Sequence, residues 1–311
     1  MNSMPLVSVV IPTYNYANYL PRAIDSVLAQ TFHKYEIIVV DDGSIDNTAS
    51  VMDAYVTKYP DRIHYIYQKN SGPNAARNKG IESANGELIA LLDADDEWLP
   101  EKLSKQVSFA LNNHQIGMIG CGIQWVKDDG TVIFEGQGVT VPSRSELIIH
   151  LKMKNFRFGG SSGVVVRKRC FDIVGKFDEE LRGSEDRDMW LRIAYQFEIE
   201  NLRDILVIIH FHETNCHTNY VNMLNSRLKF IEKHCATEYF IFRFKAISYA
   251  FLDAAREALK SFSKMRAFIY SLKAICIYPI KCTSDDDKYQ ILIKSIVPEW
   301  ILSAMRSKRS L

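Results

Sequence analysis

Three short stretches concentrate side chains able to do chemistry. LLDADDEW (91–98) places Asp93, Asp95 and Asp96 directly behind an apolar run. SEDRDMW (184–190) places Glu185 and Asp186 at the head of a helix-like pattern, and VVDDGS (39–44) ends a β-branched run on Asp41 and Asp42. Bunched carboxylates repel one another unless a cation, a hydrogen-bond donor or bulk water compensates them. The first cluster is therefore a solvated turn, a calcium loop, or a divalent-metal site for an anionic substrate. The calcium loop is excluded, because an EF-hand starting at Asp93 needs Gly where Trp98 stands and Glu where Ser104 stands.

The segments that would carry these residues alternate between strand and helix patterns. LVSVVIP (6–12), EIIVV (36–40), IHYIY (63–67) and ELIALL (87–92) are short β-branched or apolar runs. Between them lie helical stripes: Leu20, Ile24, Val27 and Leu28 with Pro21 in the first turn, then Val51, Met52, Tyr55 and Val56. GPNAARNKGIESA follows as a helix with Gly72 at its cap and Pro73 near its first position, and Leu103, Val107 and Leu111 mark the next. Repeated units of this kind predict an α/β fold with a mainly parallel central sheet and helices on both faces. Ligands of such sheets bind beyond the carboxyl ends of the strands. Thr13-Tyr14-Asn15, Asp41-Asp42 and Asp93-Ala94-Asp95 all stand at such ends and are predicted to share one crevice.

Past about residue 115 the alternation loosens. GMIGCGIQWV and TVIFEG read as strands around the turn Asp128-Asp129-Gly130, and Ser143 with Glu146 forms a capping-box pattern ahead of LIIHL. GGSSGVVVRK is a loop entering a strand, a helix starts at Ser184, and ILVIIHFH (205–212) is a further strand. Beyond about Asn219 the pattern is helical, with Leu252, Ala255 and Leu259, then Phe268, Leu272 and Ile275, on apolar faces. The expected organisation is one domain over 1–218 and a helical appendage over 219–311.

Composition narrows the function classes. With 47% hydrophobic and 24% charged residues in 311, the chain is of a folded type, and a formal charge of +1 gives no case for nucleic-acid binding. Six cysteines without a C-x-x-C pair argue against a zinc ribbon or disulfide scaffold and suit a reducing, cytoplasmic setting. The N-terminus lacks a basic region before its short apolar run, so it is not read as a signal peptide, and no apolar segment approaches the length of a membrane span. The turn after the first strand, PTYNYANYL, contains no G-x-G-x-x-G, and the chain has no P-loop, so the usual dinucleotide and P-loop phosphate cradles are missing.

VSVVIPTYN, VVDDGSIDNT, NSGPNAARNKGI, GELIALLDADD and GSEDRDMWLRIA, in this order and over about residues 5–215, resemble the family 2 glycosyltransferases, inverting enzymes of the GT-A fold. The resemblance implies transfer of a sugar from a nucleotide-diphosphate donor, most often uridine-linked, to a glycan or lipid-linked acceptor in polysaccharide assembly. It implies donor contacts from the backbone of Pro12 and Thr13, from Tyr14 stacking on a base, and from Asp42 accepting a hydrogen bond from that base. Arg77 and Asn78, at a helix N-terminus, would face the diphosphate. Asp93-Ala94-Asp95 matches the D-x-D motif, with Asp95 holding Mn2+ or Mg2+ and Asp93 nearer the ribose. Asp186 would be the base that takes the acceptor proton, and Glu185 its neighbour in positioning the acceptor. Arg187 stands where the family often has an aromatic residue.

His212 and Asn215 fit a family stretch that follows the last strand, with His212 a third metal or phosphate contact. A zinc site from His210, His212 and His217 is the alternative use of those histidines. The basic, helical C-terminal part is either a cap on the catalytic domain or a peripheral contact with a membrane's inner face. Two competing readings are a nucleotidyltransferase of related fold, which would want a Gly-rich basic loop after the first strand, and a binding module without turnover.

Overall fold

The computed structural model describes residues 6–154, 156–211, 220–280 and 287–297. The chain divides into two compact units, one comprising Met1–Ile148, Phe156–Glu180 and Glu185–Asn215, the other Ile149–Asn155, Leu181–Ser184 and Cys216–Leu311. The first unit contains a single nine-stranded sheet and every described residue singled out above for chemistry except Ser184.

In chain order the first unit begins with β1 (Val7–Thr13), α1 (Leu20–Leu28), β2 (Tyr35–Asp41), α2 (Thr48–Lys58), β3 (Ile63–Tyr67), α3 (Pro73–Ser83) and β4 (Leu88–Leu91). It continues with β5 (Glu97–Trp98), α4 (Lys102–Asn112), β6 (Ile116–Lys127), β7 (Val132–Gly136) and α5 (Arg144–Met153), whose end belongs to the second unit. β8 (Val165–Arg167), α6 (Lys168–Val174), α7 (Glu185–Gln196) and β9 (Glu198–Phe211) complete it. The strand order is β3-β2-β1-β4-β8-β6-β9-β5, with β7 paired to β6. β3, β2, β1 and β4 are mutually parallel, β8 runs against both β4 and β6, and β9 is parallel to β6. Thr13 of β1 lies beside Asp41 of β2 in this register, and Val10 lies beside Leu91, two residues before Asp93.

The central strands form because their residues suit burial on both faces. VSVVIPT and YEIIVVD are β-branched through their middles and almost wholly buried, as expected where helices cover a parallel sheet on two sides. α3 starts on Gly72, whose φ of 101° no L side chain adopts without strain, and Pro73 opens its first turn. Gly80 then lets α3 close on β1, since a Cβ there would fall 2.3 Å from Val10 Cγ1. Half of the Ser143–Glu146 capping box forms: the Glu146 carboxylate accepts from the Ser143 amide at 3.2 Å, and it also takes the Ser143 hydroxyl's hydrogen bond at 2.6 Å.

Three elements depart from expectation. β9 begins at Glu198, seven residues before the apolar run of 205, because the polar stretch EIENLRD gains its pairing from β6 instead of from its own pattern. β5 is two residues long and too short to carry a periodicity, yet it turns Glu97 and Trp98 against Ile208 and Val207 of β9.

The third departure lies in the second unit, built of α8 (Tyr220–Cys235), α9 (Phe240–Lys260), α10 (Lys264–Ile277) and α11 (Lys288–Ile296). α10 buries Ala267, Ser271 and Ala274, not the larger Phe268, Leu272 and Ile275, so its inward face is the small-residue one. Ala267 shares a buried cluster with Ala258 of α9, and Ser248 Oγ of α9 donates to the Ala274 carbonyl at 2.8 Å. Among the described residues no helix is long and apolar enough to cross a membrane.

Candidate active site

At the ends of β1 and β2, the loops that hold the expected base-binding residues are tied to each other. Asn15 takes a left-handed φ of 56°, a conformation that asparagine tolerates. Its amide donates to Ser44 Oγ at 2.8 Å, and its side-chain oxygen accepts from the Ile45 amide at 2.8 Å. Tyr14, just before Asn15, stands past the end of β1 and is 45% exposed. Pro12 pairs with Val40, and Thr13 is buried with its hydroxyl lacking a partner among the described residues.

The two aspartates at the end of β2, Asp41 within it and Asp42 just past it, make different contacts. Asp41 accepts from the Ser44 amide at 2.8 Å and the Tyr65 hydroxyl at 2.6 Å, which is turn chemistry. Asp42 accepts from Gln68 Nε2 at 2.7 Å and from the amides of Ser71 and Gly72 at 2.9 and 2.8 Å. Three donors thus fix the Asp42 carboxylate and lock the loop that leads into α3, while a carboxylate has about four acceptor positions in all.

The acids of the second and third clusters meet on α3. Arg77 is buried, and its Nη2 lies 2.8 Å from Asp93 Oδ1 and its Nη1 3.8 Å from Glu185 Oε1. Asp93, Asp186 and Glu185 together hold the guanidinium charged against its desolvation. Asn78 points elsewhere. Its amide donates to the Phe177 carbonyl and Glu179, and it accepts from the Phe177 amide at 2.8 Å. It clamps α3 to the segment that leads toward α7.

Asp186, on the first turn of α7, has one carboxylate oxygen enclosed and without a hydrogen-bond partner among the described residues. Desolvation pushes its pKa up to about 7, opposed by Arg77 and a hydrogen bond from the Ser161 backbone and reinforced by Glu185 and Asp93. A base whose pKa stands near neutrality combines the ionised form with useful proton affinity.

The loop GGSSG (159–163) joins these groups. Ser161 Oγ donates to Asp93 Oδ2 at 2.6 Å, and Ser162 Oγ both donates to Asp96 and accepts from the Asp93 amide at 3.0 Å. The Ser162 carbonyl accepts from Trp98 Nε1 at 2.7 Å, so the two-residue strand β5 fixes the loop from below. Gly159 and Gly160, at φ of 89° and 65°, supply the backbone turn. Reading the sequence missed both serines; the signal available was paired glycines and serines ahead of a strand, which shows a loop but not where it folds.

Asp95 stands on the other side of the cluster with its side chain part-exposed, and Arg22 of α1 donates to its carbonyl at 2.7 Å. Asp96 is buried, and desolvation together with the charges of Asp95 and Asp93 raises its pKa well above the carboxylate range. Glu97 lies 3.2 Å from His210 Nε2. His212, Asn215 and His217 lie outside the described residues. No group of three or more His, Cys, Asp or Glu is arranged to hold a cation among the described residues. The donor chemistry nevertheless fits Mn2+ or Mg2+, which bind through one or two carboxylates with substrate phosphates and water filling the remaining positions. Asp95, part-exposed beside the buried Ala94, carries a hard oxygen donor of this kind.

Comparison with known proteins bears on family and fold. The sequence pattern of Glycosyl transferase family 2 matches residues 8–172, more than half of the chain. An uncharacterised glycosyltransferase of Nostoc sp. is 47% identical over 214 residues, covering 68% of this chain and 66% of its own. TuaG of Bacillus subtilis, a glycosyltransferase named for teichuronic acid biosynthesis, is 40% identical over 131 residues, 42% of this chain and 51% of its own. The chain thus spans about half to two thirds of the length of these relatives. Among solved structures, TarS of S. aureus in complex with UDP-GlcNAc has a TM-score of 0.58 at 19% identity, covering 93% of this chain and 79% of its own. The mannosyltransferase PcManGT of Pyrobaculum calidifontis, in complex with GDP-Man and Mn2+, has a TM-score of 0.59 at 18% identity, covering 94% and 86%. These two likenesses show a shared GT-A fold. By its sequence pattern, and with a fold to match, the chain belongs to glycosyltransferase family 2.

Proposed function

We propose that this protein is an inverting, metal-assisted glycosyltransferase that moves a sugar from a UDP-sugar onto a hydroxyl of a glycan or lipid-linked acceptor during polysaccharide assembly. The observation that carries the reading is the convergence of Asp93, Glu185 and Asp186 on the buried Arg77, with Asp186 raised to a pKa of about 7.

In this reading Tyr14 stacks on the base, the backbone of Pro12 and Thr13 lines it, and Asp42 faces it from the loop that Gln68, Ser71 and Gly72 hold. Asp93 lies toward the ribose, with Ala94 packed beneath and Arg77 keeping its carboxylate oriented. Arg77 also supplies positive charge near the diphosphate, and Asn78 fixes α3 in position. As the acceptor oxygen attacks the anomeric carbon, the bond to the terminal phosphate oxygen breaks and Asp186 takes the acceptor proton, inverting that carbon. Glu185 orients the acceptor. Asp95 and the donor phosphates, with His212 a further candidate ligand, would hold a divalent Mn2+ or Mg2+, which would supply positive charge against the departing nucleoside diphosphate. Acceptors that are lipid-linked would place the protein at the inner, cytoplasmic face of a membrane.

UDP-GlcNAc in TarS and GDP-Man in PcManGT support a nucleotide-sugar donor, and the teichuronic acid role in TuaG's name supports a polysaccharide product. The test is a panel of nucleotide sugars scored for nucleotide release with Mn2+, Mg2+ or chelator. Release of UDP with one donor, lost in chelator, is expected. In the same assay Asp95→Ala loses the metal-dependent nucleotide release. Full activity in chelator would overturn the metal role.

A further inference from the structure

The second unit carries a feature that sugar transfer does not use. α10 is a helix with two opposite apolar faces. Ala267, Ser271 and Ala274 form the inward one. On the other side Met265, Ile269, Leu272 and Cys276 recur at helical spacing, and all four are exposed: Met265 71%, Ile269 40% and Leu272 44%. A surface helix ordinarily puts its small or polar residues outward and its larger apolar ones inward, so this arrangement is reversed. α11 repeats it with Tyr289, Ile293 and Ile296 exposed while Ile291 and Ser295 are buried. Lys288 anchors α11 from within, donating to the carbonyls of Tyr278 and Ile280 at 2.8 and 2.9 Å.

The charge on these helices has one sign. α10 contains Lys264, Arg266 and Lys273, and α11 contains Lys288 and Lys294, with no acidic residue in either. Arg266, Lys273 and Lys294 are exposed. We propose that the outward faces of α10 and α11 form a docking surface for an anionic phospholipid membrane, with the apolar stripes entering the headgroup boundary and Arg266, Lys273 and Lys294 meeting lipid phosphates. Apolar burial and electrostatic attraction act together in such contacts. A second copy of the chain suits the surface less well, since a two-fold contact through these faces would bring like charges together. This inference gives a location to the lipid-linked branch of the proposed function, yet its test does not involve transfer.

The full chain is sedimented with vesicles of phosphatidylcholine alone, or of equal parts phosphatidylglycerol and phosphatidylcholine, at low and high salt. Binding to the anionic vesicles alone, weakened by salt, is expected. Ile269→Ser/Leu272→Ser lowers that binding by about tenfold, and Lys273→Glu/Lys294→Glu does the same without touching an apolar residue. All four positions are exposed, and far-ultraviolet circular dichroism checks that both variants stay folded. Equal binding to neutral vesicles, none to either, or no change in both variants would overturn the proposal. So would a wild-type dimer in sedimentation velocity that Ile269→Ser/Leu272→Ser dissociates. Normal nucleotide release beside failed vesicle binding would remove this surface and leave the transfer reading intact.

Discussion

Asp186 and Arg77 set the electrostatics of the site. Asp186 loses hydration on folding and faces Asp93 and Glu185, so its proton is held more tightly, and Arg77 opposes this without cancelling it. Because the base works only when ionised, kcat/KM should rise with pH through an inflection near 7, visible in initial rates from pH 5.5 to 8.5 at about constant ionic strength. Stability runs the other way. Asp186 has its native pKa raised from 3.8 to about 7, so across that window the native state keeps a proton that the unfolded chain has released. Ionisation of this side chain therefore lowers stability as pH rises, and the full penalty is present above the native pKa. Asp186→Asn should raise the unfolding midpoint at pH 8, by about 2–4 °C for each kcal/mol recovered. The gain should vanish as pH falls toward about 4. A variant with the same midpoint as wild type at both values would contradict the buried, raised carboxyl.

Among the elements, α3 against β1 gives the cleanest contest between local preference and packing. Helix propensity alone says Gly80→Ala stabilises by about 1 kcal/mol. The packed structure says otherwise, because the added Cβ would meet Val10 Cγ1 at 2.3 Å and Val10 is wholly buried. Overpacking of about 1–3 kcal/mol should win, giving a lower urea midpoint and slower transfer as Arg77 shifts with its helix. The parallel core of the sheet was legible from β-branched runs such as VSVVIP and EIIVV because burial on both faces leaves a continuous apolar signature. β5 was not, since two residues have no period, nor was the start of β9, whose polar residues depend on β6 for their pairing. In α10 the apolar stripe was visible but not its orientation: Ala267 and Ala274 carry little hydrophobic weight in a sequence, although their small size is what lets the helix approach α9. For the site, the acids and Arg77 stood out as types at strand ends and helix starts. Ser161 and Ser162 did not, because a loop's path is set by tertiary contacts such as the bond from Trp98 to the Ser162 carbonyl.

At the scale of the whole molecule, the first unit draws its candidate site residues from five separate parts of the chain. β1 and β2 present Tyr14 and Asp42, β4 presents Asp93 and Asp95, α3 presents Arg77, and α7 presents Glu185 and Asp186. The second unit contributes helices with basic, partly apolar surfaces. The proposed function assigns binding to one set of these residues and proton transfer to another. The measurement that tests this division most directly compares Asp186→Asn with wild type for donor affinity by calorimetry and for sugar transfer to acceptor, using the nucleotide sugar that the panel selects. Donor affinity should stay within about twofold of wild type while transfer falls by about 100-fold or more. Transfer at the wild-type rate by Asp186→Asn would contradict the division.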